Sequence, residues 1–125
     1  MSKRDQRVTL RQIVEYVLHA QALCAEKSAA QIEANWRDAL AFERAMEVIG
    51  EAVKRLPEEL TRRYPQVPWR LVAGMRDKIS HGYDTVDYQL LWDAVRNDLA
   101  TLSAAAQAML RELDEVPASD PPPAS

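Results

Sequence analysis

Apolar residues recur in alternating steps of four and three along Tyr88, Trp92, Val95, Leu99, Leu102, Ala106, Met109 and Leu113. That rhythm keeps one face of an α-helix turned toward neighbours over almost four heptads. A strand, whose side chains alternate with period two, cannot bury such a set. Such a chain has to fold by laying helices side by side. The composition agrees, since three glycines in 125 residues and an apolar fraction of 47% leave little turn chemistry for a β fold.

Other segments repeat the theme. Leu10, Ile13, Val14, Val17 and Cys24 predict an amphipathic helix over about 8–27, loosened after it by Lys27-Ser28. Ala39, Phe42, Met46, Ile49, Val53 and Leu56 mark a single helix over about 31–56. Pro57-Glu58-Glu59 reads as a short restart, with acids near the positive end of the dipole. Tyr64-Pro65-Gln66-Val67-Pro68 breaks the chain, and Pro68 opens a helix carrying Trp69, Val72, Ala73 and Ile79 on one side. Gly82 is placed to end it, Asp84-Thr85-Val86-Asp87 reads as a turn, and Asp87 is a good N-cap for the last helix. The expected architecture is all-α, an antiparallel bundle of four to five helices. Residues 1–116 form one helical domain, and the Pro-rich 117–125 stretch is expected to be a disordered tail.

Charge and cysteine content narrow the function classes. A net charge of −3 argues against a protein that coats nucleic acid through bulk charge. Any nucleic-acid contact is therefore local. Between residues 54 and 78, seven cations (Lys54, Arg55, Arg62, Arg63, Arg70, Arg76 and Lys78) face three acids, a patch able to guide an RNA backbone or simply to be a solvated face. One cysteine, Cys24, excludes a disulfide framework and reads as a core residue. With His19 and His81 far apart, no metal site and no cofactor is expected. No apolar leader or membrane-length run is seen, so a soluble cytoplasmic protein without membrane attachment is expected.

The chemistry sits in one octapeptide, Arg76-Asp77-Lys78-Ile79-Ser80-His81-Gly82-Tyr83. It combines a permanent cation, a side chain that titrates near neutral pH and a phenol, which together can handle a phosphodiester without a metal. With the segments Ile49-Gly50-Glu51-Ala52-Val53-Lys54-Arg55-Leu56, Tyr64-Pro65-Gln66-Val67-Pro68-Trp69 and Ala73-Gly74-Met75, it makes the chain resemble the HepT-like members of the HEPN superfamily. These are the toxin halves of HepT/MntA-type toxin–antitoxin pairs, and the likeness runs from about residue 8 to 113. It implies a HEPN-like homodimer acting on RNA as a metal-independent endoribonuclease, in a type VII-like toxin–antitoxin system. It also implies a cognate MntA-like nucleotidyltransferase antitoxin that silences the toxin by adenylylating the motif tyrosine. By position the catalytic roles fall on Arg76 and His81, and the O-AMP-tyrosine site on Tyr83.

Those roles make chemical sense. His81 serves as general acid or base, and Arg76 as the clamp on phosphate oxygens. On an ideal helix the two lie roughly 140° apart. Either the helix ends near Ser80 and frees His81, or two motifs meet across a dimer interface, the arrangement favoured here. Asp77 either orients a catalytic group or is a surface acid or helix salt-bridge partner. Glu51 reads as a polar packing contact. Trp36, Trp69 and Trp92 have core-compatible spacings, and His19 reads as structural or solvent-facing. A second reading, from another class, is a non-catalytic helical module that binds a nucleotidyltransferase or a nucleotide.

Overall fold

The computed structural model describes residues 2–80 and 86–119. Among them run seven helices: α1 (Lys3–Glu26), α2 (Ala29–Ala34), α3 (Trp36–Arg55), α4 (Glu58–Thr61), α5 (Trp69–Ser80), α6 (Tyr88–Asn97) and α7 (Leu99–Ser119). No strand occurs among the described residues, and the all-α expectation holds. None of these helices is long and apolar enough to cross a membrane.

Local chemistry explains where each helix starts. Ser2 accepts the Asp5 amide at 3.1 Å, so α1 begins five residues before the expected start. Ser28 and Gln31 form a reciprocal capping box that opens α2. The single helix expected over 31–56 is in fact two. Asn35 interrupts it, its Oδ1 accepting the amides of Arg37 at 3.0 Å and Asp38 at 3.1 Å to start α3. Asp87 caps α6 as expected, through Leu90 N–H at 3.0 Å.

The long terminal helix is likewise broken, at Asp98 (φ −120°, ψ −33°). The ladder closes again on both sides: the Asp98 amide donates to Ala94 O at 2.8 Å and Leu102 N–H to Asp98 O at 3.2 Å. The apolar face therefore survives the break, with Val95, Leu99, Leu102, Ala106 and Met109 all buried. At the far end α7 covers residues 117–119 of the stretch expected as a tail, and residues 120–125 lie outside those described. Pro117 has no amide to give the carbonyl of Leu113, four residues back. Arg7 Nη2 donates to that carbonyl instead, at 2.9 Å, tying α1 to α7.

α3 is the central element. It packs against α1 on one flank and α5 on the other, while α1 also holds α7, and α2 and α6 close one end. Leu10, Ile13 and Val17 of α1 meet Phe42, Met46 and Ile49 of α3, and Leu99, Leu102 and Met109 of α7 in one core without solvent exposure beyond 1%. Each such side chain contributes about 1.5–3 kcal/mol by leaving water. α5 inserts Val72 and Met75 into this core but leans mainly on α3. The octapeptide begins on α5 at Arg76, whose side chain is partly exposed.

Trp36 departs from expectation. It is 67% exposed, with the Arg37 guanidinium 5.2 Å from its ring centroid. The Asn35 cap makes Trp36 the first residue of a new helix and turns it outward with Leu40. Trp69 and Trp92 are partly buried, their indole N–H groups donating to Tyr64 O at 3.0 Å and Lys27 O at 2.9 Å.

Candidate active site

The backbones of α3 and α5 nearly touch at Gly50. A Cβ there would lie 3.1 Å from both Arg76 N and Val72 O, and 3.2 Å from Arg76 Cβ. Glycine suits the crossing, because any larger residue would press on the backbone of α5, which must give by a few tenths of an ångström, and not on a movable side-chain tip. The next residue on α3, Glu51, thereby comes opposite Arg76. Their side chains pair, Arg76 Nε to Glu51 Oε2, at 2.7 Å.

One turn further along, Lys54 reaches Asp77 at 3.1 Å and 3.3 Å to its two carboxylate oxygens. Asp77 thus makes a salt bridge between α5 and α3. The two pairs reinforce each other in aligning α5 on α3.

Beside Arg76 opens a groove of about 220 Å³, walled by Gln12, Arg44, Glu47, Glu51 and Arg55. Arg55 Nη2 donates to Gln12 Oε1 at 2.7 Å, fixing one wall. Arg44 stands 3.9 Å from Glu47. Three guanidiniums against two carboxylates leave the groove one positive charge in excess, chemistry that can take an anion. Glu51 holds Arg76 through Nε, so the two terminal nitrogens carry the remaining N–H donors. Such a fork can meet the oxygens of a phosphodiester.

His81, Gly82 and Tyr83, with Asp84 and Thr85 of the expected turn, lie outside the described residues; α5 is described to Ser80. His19, on α1, is solvent-facing, 3.6 Å from Glu15 and edge-on to Tyr16. Among the described residues no three His, Cys, Asp or Glu side chains are grouped to hold a metal ion.

The sequence reading missed Glu51 as the partner of Arg76, and missed Arg44, Arg55 and Gln12 as walls. Gly50 carried a usable signal. A glycine inside a strongly periodic helix marks close backbone approach, and its neighbour is then a candidate for the facing helix.

Comparison with known proteins gives the geometry its context. A protein provisionally named as an RNase in Methanocaldococcus jannaschii is 31% identical over 115 residues, 92% of this chain and 99% of that protein. Another with such a name, in Caldanaerobacter subterraneus, is 40% identical over 72 residues, 58% of this chain and 64% of that protein. A protein provisionally named ribonuclease HepT in Thermococcus cleftensis is 48% identical over 59 residues, 47% of this chain and 54% of that protein. No solved structure shows a significant match. An all-α fold and these relatives place the chain among small helical ribonucleases. The chain belongs to the HepT-like ribonuclease family, whose model, described as ribonuclease HepT-like, matches residues 10–109.

Proposed function

We propose that this chain is the toxin of a type VII-like toxin–antitoxin pair, a metal-independent endoribonuclease acting in the cytoplasm as a homodimer. The observation that carries the reading is Arg76, held through Nε by Glu51 at the rim of an anion groove, five residues before His81 in a chain of a ribonuclease family.

In this reading Arg76 binds the non-bridging oxygens of the scissile phosphate and stabilises the charge that builds there. A base removes the proton of the 2′-hydroxyl, and O2′ attacks phosphorus. The bond to O5′ breaks as an acid protonates the leaving oxygen, giving a 2′,3′-cyclic phosphate and a 5′-hydroxyl end. His81 supplies one of these proton transfers, and the partner subunit's motif supplies the second. Tyr83 is the acceptor for AMP from an MntA-like nucleotidyltransferase. The added anion competes with RNA phosphate for Arg76.

RNA cleavage in EDTA by wild type, Arg76→Ala and His81→Ala tests the catalytic part. Equal cleavage by all three removes both residues from catalysis. Coexpression with an active nucleotidyltransferase, followed by mass spectrometry, tests the switch; an unmodified Tyr83 refutes it.

A further inference from the structure

The basic run 54–78 has a second groove that the Arg76 site does not use. About 640 Å³ in volume, it opens between α4, the loop that follows it and the start of α5. Pro65, Pro68, Trp69 and Leu71 give it apolar walls, and Arg62 and Arg70 line it together with one carboxylate, Glu58. Leu71 is 43% exposed. Arg70 is exposed and makes no ion pair among the described residues, while Arg62 pairs only with the solvated Glu58. The Trp69 indole N–H is fixed on Tyr64 O, which holds the ring in place along the groove.

Position on α5 links this groove to the first. Trp69 and Arg76 are seven residues apart, so they lie about 20° from each other around the helix and about 10 Å apart along it. Each groove is lined by one of these two residues, so both border the same helix.

We infer that the Trp69 groove is a substrate subsite for single-stranded RNA. One unpaired base rests against Trp69 and its flanking prolines, and the phosphates beside it meet Arg62 and Arg70. This rests on the ribonuclease reading and adds the form of RNA taken. Single strandedness follows from the walls, because only an unstacked base presents a face to an aromatic platform, whereas a duplex is recognised by shape and backbone. Two cations flanking an apolar slot match a base with its phosphates better than they match an apolar protein segment.

The test uses a short, unstructured, 2′-O-methyl RNA, which lacks the nucleophilic hydroxyl and stays intact while bound. Its affinity is followed by fluorescence anisotropy over a range of salt. Arg62→Ala/Arg70→Ala is expected to weaken binding at least fivefold at low salt and to flatten the log–log salt dependence by about 1.4. Trp69→Leu is expected to weaken it roughly fivefold or more with the salt slope kept. If Trp69→Leu melts early, the arginine variant, altered only on the surface, decides alone. Unchanged affinity and slope in a folded arginine variant overturn the subsite. So does an equal loss on duplex RNA, or a loss confined to nucleotidyltransferase binding. Groove-dependent binding by a wild type that fails to cut the unmodified RNA supports the subsite and refutes the ribonuclease reading separately.

Discussion

At Arg76 the direction of the ion pair matters more than its strength. Both partners are about two-fifths exposed (41% and 44%), so solvent screens the charges and the pair adds at most about 1 kcal/mol. Its consequence is to hold a guanidinium that otherwise has many rotamers. Arg76→Lys keeps the charge but loses Nε and the fork, so kcat/KM for RNA is expected to fall about 100-fold with little change in melting temperature. Gly50→Ala separates packing from chemistry. Helix propensity favours alanine by about 1 kcal/mol, but overpacking against the α5 backbone costs typically 1–3 kcal/mol. The clash wins because Arg76 N and Val72 O have no rotamer to change. The expected result is a net loss of about 1 kcal/mol in urea unfolding and a larger fall in cleavage, as α5 shifts with Arg76. Cleavage that survives unchanged would mean the crossing does not position the site.

At the scale of elements, the two helix breaks obey different rules. Asn35 starts α3 by accepting two amides, so Asn35→Ala is expected to cost about 1 kcal/mol of stability in a denaturant titration. Trp36, its exposed neighbour, is expected to tolerate Ala within about 0.5 kcal/mol. A stability loss of several kcal/mol for Trp36→Ala would show that the residue is covered in solution. At Asp98 the break leaves the buried stripe in register, which is why the 4-3 repeat predicted the core residues of α6 and α7 while missing their boundary. Periodicity reports which face is buried. It is blind to one distorted residue whose neighbours keep their hydrogen bonds. Asn35 was more legible, since asparagine is a preferred N-cap and the apolar seam Ala39–Leu56 begins only after it.

For the whole molecule, burial sets the response to alkali. Burial pushes the Cys24 thiol from 9.0 up to about 11, a shift that nearby Arg96 partly opposes. Tyr64 is raised by burial and by its hydrogen bond to Glu112, and Tyr88 by burial and by its bond to Glu43. In all three the folded state holds its proton longer than the unfolded chain does. Stability is therefore unaffected below pH 9 and falls as pH rises toward 11, by about 2 kcal/mol for Cys24 at the top of that window. Thermal melts from pH 7 to 11 are expected to stay level to about 9 and then decline, more gently in Cys24→Ala. A melting temperature that rises above pH 9 would contradict the assignment.

The apolar rhythm dictated helices, their buried faces and the residues that meet in the core, because burial at fixed spacing is a local property of the chain. The octapeptide likewise displayed a cation, an imidazole and a phenol, which are properties of side-chain type, and the roles given to them are part of the proposed function. Only the tertiary structure decided that Glu51, 25 positions before Arg76, is its partner, that Gly50 makes the meeting possible, and that Trp36 faces water. Those outcomes depend on how closely two helices approach and on which side a cap turns them. Distances between segments remote in sequence leave no period to read.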